Sequence, residues 1–191
     1  MALEIDKVDT ESAGWVFAKG FTDMRTNPKT FLKVYLYFNK YQHHMGDVLK
    51  RSIEEGINIY IKEKEGKYGI NLEQQKDIIN EGIKFLNDPT NSSEEKKIIV
   101  QFLWDLWSGF FSKVEEIKNR DEIYEKMNQQ SLSIIEMLNT VRKDTKLSEE
   151  VDKVLLNFQI HYSRNDLPVE FLQSPLISIV REKITQSMRK N

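Results

Sequence analysis

The sequence predicts an all-α protein, a bundle of six or seven helices built around a central, mostly apolar fourth helix. Three observations predict it. Apolar residues recur at steps of three and four along most of the chain, the period of a coil with about 3.6 residues per turn. Only 8 Gly and 4 Pro occur among 191 residues, too few to punctuate a sheet-and-turn fold. No segment alternates apolar and polar residues as a half-buried strand does, and no internal repeat is visible.

Seven helical segments follow in order. The first spans about Thr10 to Met24, with Thr10 or Ser12 as cap and Trp15, Val16, Ala18 and Phe21 as its apolar positions. The second starts at Asn27-Pro28, a capping residue followed by one suited to the first turn. Phe31, Leu32, Val34, Tyr35, Phe38 and Tyr41 give it a wide apolar arc, Gly46 marks a kink or break, and the pattern resumes from Val48 to Ile61. The charged, glycine-flanked stretch EKEGKYG then reads as a linker. Asn71-Leu72-Glu73-Gln74 has the spacing of a capping box and opens the third helix, with Leu72, Ile79, Ile83 and Leu86 as its buried face. Asn87-Asp88-Pro89 ends it, since proline disfavours helix in the residue before it. Ser92 to Glu95 offers a second capping box and opens the fourth.

Between Ile98 and Val114 the fourth helix has one narrow polar stripe, Gln101, Asp105, Ser108 and Ser112, and is otherwise large and apolar. Asp105 is expected to face solvent with that stripe. A helix apolar on most sides is central to its fold, or shared between its fold and a partner. Trp104, Trp107, Phe110 and Phe111 are therefore the interface or pocket candidates, being of the types that anchor interfaces. The fifth helix runs from about Arg120 to Lys143, its stripe crossing a polar patch at Asn128 to Ser131. The sixth starts at Ser148 and carries Val151, Val154, Leu155, Phe158 and Tyr162. Pro168 and Pro175 bracket a loop or short turn. The seventh carries Leu176, Ile177, Val180, Ile184 and Met188 and ends in cations that suit the helix dipole.

Length and composition bound the rest. The expected organisation is one helical domain, 1–191, with a sub-boundary near 66–70 that would separate 1–65 from 71–191. Charged residues make up 30%, the formal net charge is -2, and there is no cysteine. Thiolate and disulfide chemistry are thereby excluded, and nothing in the bulk charge draws the chain to nucleic acid or anionic lipid. The acidic, polar start lacks the features of a signal peptide, and no apolar run reaches the roughly 20 residues of a membrane span. A cytoplasmic protein is expected.

The side chains that could carry chemistry are scattered. The three histidines, His43, His44 and His161, read as surface or half-buried polar residues. Neighbours on a helix point about 100° apart, so His43 and His44 cannot chelate one ion from a single face. The acid pairs Glu54-Glu55, Glu94-Glu95, Glu115-Glu116 and Glu149-Glu150 are explained by capping and solvation. No GxSxG, HExxH, Glu-x-x-His pair or phosphate-binding glycine loop occurs. No catalytic residue, metal ligand or cofactor is assigned, and the balance of the sequence is against an enzyme.

Two stretches resemble TetR-like transcriptional regulators. Val16-Phe17-Ala18-Lys19-Gly20-Phe21 resembles the end of that family's first helix, and Val34-Tyr35-Leu36-Tyr37-Phe38 resembles the tyrosine-rich end of its recognition helix. Phe102 to Val151 has the cadence of its ligand-binding and dimerising half. The chain departs from the pattern where it matters most. Only Thr22 to Lys33 separates the two motifs, too short for a helix-turn-helix, Pro28 interrupts it, and Tyr41 stands where the family prefers lysine. The resemblance implies a regulator with a degenerate DNA-binding region, and no recognition residue carries over. It is kept as an alternative and not adopted. A small-molecule-binding bundle or an enzyme without a recognisable motif is the other alternative. The leading expectation is a non-catalytic regulatory or adaptor protein that acts through a protein partner or by forming a homodimer.

Overall fold

Asn27 opens the first described helix by accepting the Thr30 amide on Oδ1 at 3.1 Å, with Pro28 in the first turn. The computed structural model describes residues 27–62 and 71–189. The expected helix at 10–24 and the expected linker at 63–69 lie outside these. The described residues hold eight α-helices and no strand, the all-α class that the periodicity predicts. By compactness the chain divides into two units, 1–78 and 79–191, and each is taken by itself.

In the first unit, α1 (Pro28–Tyr41) and α2 (Asp47–Lys62) replace the single interrupted helix of the sequence reading. A 3₁₀ turn at Gln42–His44 and an extended Met45 break it just before Gly46. Phe31, Leu32 and Phe38 are buried on α1, and Ser52 and Ile53 on α2. The Ser52 hydroxyl donates to the Val48 carbonyl at 2.8 Å, which satisfies a buried polar group locally. The capping box expected at Asn71 is complete. The Gln74 amide donates to Asn71 Oδ1 at 2.9 Å, and the Asn71 amide donates to Gln74 Oε1 at 3.0 Å. It opens α3 (Leu72–Asn87), inside which the boundary between the units falls. The buried positions of α3 are Gln75, Ile78, Ile79, Gly82 and Leu86, with Leu72 and Ile83 only half-buried.

The second unit is built from α4 (Ser93–Val114), α5 (Asp121–Val141), α6 (Ser148–Tyr162), the single turn α7 (Val169–Leu172) and α8 (Ile177–Arg189). Ser92 caps α4 by accepting the Glu95 amide at 3.2 Å. As expected, α4 is mostly apolar and well buried, and Asp105 and Ser112 on its polar stripe are exposed. Within the unit, α5 touches α4, α6, α7 and α8. Between the two prolines, where a loop or short turn is expected, the chain forms the one-turn helix α7.

The apolar stripes of α5, α6 and α8 are buried inside the unit. Ile134, Ile135, Leu138, Val151, Val154, Leu155, Phe158, Val180 and Ile184 are all buried. Polar ties pin α8 in place. The Arg142 guanidinium donates to the Ser187 carbonyl at 2.8 Å and pairs with Asp152 at 2.5 Å. Asn139 donates to the Ser187 hydroxyl at 2.7 Å, and Arg181 donates to the Tyr162 carbonyl at 3.0 Å.

Gly82 is where α3 meets α4. A Cβ there would lie 2.7 Å from Leu103 Cδ2 and 3.6 Å from Ile99 Cγ2, and both neighbours are fully buried. Gly82→Ala should gain about 1 kcal/mol of helix propensity and lose more to overpacking, typically about 1–3 kcal/mol. We expect a net destabilisation of about 1 kcal/mol in urea unfolding; a stabilised variant would show that Leu103 has room to turn away.

Candidate functional site

The interior of the second unit gathers the polar and aromatic residues of three helices into one cluster. Met127, Asn128 and Ser131 project from α5 at the helical spacing that also buries Tyr124, Ile134 and Ile135. The sequence reading took Asn128 to Ser131 as a polar patch interrupting the stripe. In the structure Asn128 and Ser131 are fully buried, and Gln130 nearly so.

Hydrogen bonds explain how this is tolerated, since a buried polar group must find a partner. The Tyr162 hydroxyl lies 2.7 Å from Asn128 Oδ1 and 2.9 Å from Ser131 Oγ. Ser131 in turn donates to the Met127 carbonyl at 3.1 Å. The same carbonyl accepts the indole N–H of Trp107 at 3.1 Å. A chain of contacts thus runs from α6 through α5 to α4. Burial pushes the Tyr162 phenol far above its ordinary range and the Tyr124 phenol up to about 12.

His161 is the second correction. It is buried, not at the surface, and its ring meets those of Phe111 at 4.3 Å and Trp107 at 4.9 Å, both edge to face. Burial among these rings lowers its pKa from 6.5 to about 4, with the nearby Arg164 guanidinium adding to the effect and Asp166 opposing it. Phe171, carried by α7, fills the remaining side of the box. Its ring lies 5.0 Å from Phe111, 5.4 Å from Tyr124 and 5.3 Å from Tyr162. Three polar atoms in the cluster, Tyr124 Oη, Asn128 Nδ2 and His161 Nε2, have no hydrogen-bond partner. These interior groups are uncharged near neutral pH.

Of the four residues singled out from sequence, Trp107, Phe110 and Phe111 are buried. Trp107 and Phe111 pack against the His161 ring of α6, at 4.9 and 4.3 Å. Trp104 alone is half-buried; its ring packs edge-on against Phe158 at 4.9 Å and stacks on Trp107 at 5.9 Å. Sequence reasoning missed Tyr124, Asn128, Ser131, His161 and Phe171. The signal available for the first three was their spacing from Met127 and Ile134. His161 carried one too, three residues after Phe158 on the buried stripe of α6.

The acid pairs are structural. Glu115 pairs with Arg164 at 3.3 Å, and Lys153 reaches Glu149 at 3.0 Å and Glu150 at 3.4 Å. Among the described residues no three His, Asp or Glu side chains are placed to hold a metal ion, and no helix is long and apolar enough to cross a membrane.

What the outer surface offers is narrower. Leu156 and Ile160, on the side of α6 turned away from its core stripe, are 45% and 59% exposed. On α1, Tyr37 and Tyr41 are exposed with their rings 4.6 Å apart.

Fold and site together define an all-α protein whose polar interior is sealed by aromatic rings and whose candidate contacts lie on helix faces. Comparison with protein-family models, curated proteins and solved structures finds no match to this chain.

Proposed function

We propose that this chain is a non-catalytic adaptor or regulatory protein that works by protein–protein association, and that its first partner is a second copy meeting it across the outward face of α6. The support is the pair Leu156 and Ile160, one helical turn apart and both largely exposed. The other exposed aliphatic residues of the unit, Val169 and Ile179, are on different helices, and single exposures of that kind are ordinary. An antiparallel, two-fold contact would seat Leu156 on Ile160 of the second copy and the reverse, the self-complementary pairing that a closed dimer requires. Lys153, on the same face, is drawn aside by Glu149 and Glu150. The interior gives the complementary argument. His161, Tyr124 and Tyr162 are the groups best suited to proton transfer, and all are buried, neutral and walled by rings.

Light scattering across a concentration series to roughly millimolar tests the proposal. A contact of a few side chains predicts a weak dimer, because interfaces well below about 1,200 Å² sit at the low end of stability. The wild type is expected to gain mass as concentration rises, while Leu156→Lys with Ile160→Lys stays monomeric with an unchanged circular dichroism spectrum. A wild type that remains monomeric throughout, or a double variant that still dimerises, would reject it.

A further inference from the structure

We propose that the outward face of α1 binds single-stranded nucleic acid, with Lys29, Lys33 and Lys40 meeting phosphates and Tyr37 and Tyr41 stacking on bases. Charge is the first observation. From Asn27 to Gly46 the sequence contains three lysines and two histidines and no aspartate or glutamate, in a chain whose net charge is -2. The positive charge is therefore local.

Its arrangement is the second. Lys29, Lys33 and Lys40 are all exposed. At about 100° per residue they fall within roughly 40° of one another on the side opposite the buried Phe31 and Phe38. None of the three forms an ion pair with a described residue. Six lysines on other helices, Lys50, Lys76, Lys84, Lys97, Lys126 and Lys153, each pair with a glutamate three or four residues away. Among the described residues the row on α1 has no such partner, which leaves it available to an external polyanion.

The rings are the third. Tyr37 is 63% and Tyr41 38% exposed, their planes tilted by 45°, and the Lys40 ammonium stands 5.6 Å from the centre of the Tyr41 ring. Both lie along one edge of the lysine row. Exposed rings beside cations form a platform for unstacked bases, whose faces are free in a single strand and hidden in a duplex. From Lys29 to Tyr41 the helix rises about 18 Å, room for about four nucleotides, the lower end of known site sizes.

Fluorescence anisotropy with the full chain and a labelled thymidine oligonucleotide of about 20 nucleotides tests this. Binding is expected at low salt, with log K falling against log salt at a slope of about -2 for three phosphates. Lys29→Gln with Lys33→Gln and Lys40→Gln should weaken it at least tenfold and flatten the slope. Tyr37→Ala with Tyr41→Ala should weaken it about tenfold and leave the slope unchanged. All these positions are solvent-facing, and circular dichroism confirms that each variant folds. No anisotropy change at about 100 µM protein, or wild-type affinity in either variant, would overturn the proposal. So would tighter binding of a duplex of the same length, or equal competition by polyglutamate, which would mark the face as a duplex or acidic-protein surface.

Discussion

Trp107→Ala should cost about 3–5 kcal/mol of folding stability, the largest loss expected from any single substitution in the second unit. The indole is fully buried. Its ring stacks on Phe111 at 5.5 Å, and meets Phe158 at 5.2 Å and His161 at 4.9 Å. Alanine leaves a cavity that three helices would have to collapse to fill. The polar part of the cost is small, because the Met127 carbonyl keeps the Ser131 hydroxyl as a donor. Trp107→Phe, which keeps an aromatic ring in place but loses the N–H and part of the ring volume, should cost about 1–2 kcal/mol. Urea unfolding of the two variants separates the contributions. Equal losses would mean that the hydrogen bond, not the volume, holds this residue. Trp104→Ala, at a half-buried position, should fall well below Trp107→Ala.

Acid should destabilise the fold through His161 before the carboxylates titrate. Its pKa is about 4 in the native state against 6.5 unperturbed, chiefly because burial penalises the imidazolium. Above about pH 6.5 the imidazole is neutral in both states, and the stability is fully present. As pH falls through 6.5 the unfolded chain takes up a proton that the native state refuses until about pH 4. Stability is lost across that window, about 1 kcal/mol by pH 5.5 and about 3 kcal/mol in all. The charged groups acting on the ring are Arg164 and Asp166. Arg164 donates to Asp166 at 2.9 Å and to Glu115 at 3.3 Å. Urea midpoints at pH 7.5 and 5.5 measure the effect. The wild type should weaken over that interval and His161→Gln should not. An unchanged wild-type midpoint would place the imidazole in contact with water.

Much of the second unit was legible in the sequence because its apolar stripes keep the helical step. Ser92 caps where the pattern begins, and the stripe Val151, Val154, Leu155, Phe158 and Tyr162 is buried throughout. The cluster around Tyr162 was not legible, for a definite reason. Periodicity reports which residues share a face; a polar residue on that face reads as an interruption until its partner is known. Asn128 and Ser131 are stable inside because the Tyr162 hydroxyl, more than 30 residues away, reaches them. The roles of Trp104 and Trp107 diverged for a similar reason. Three residues apart on one helix, they differ only in what α5 and α6 lay over them.

The sequence by itself determined the helices. Three of their starts lie in local capping hydrogen bonds, at Asn27, Asn71 and Ser92, and their buried faces in spacings of three and four, both of which are properties of neighbouring residues. Only the tertiary structure decided which polar residues go inside and which aromatic rings stay half-exposed. Those outcomes depend on groups far apart in the chain, brought within hydrogen-bonding or van der Waals distance only after the helices have packed.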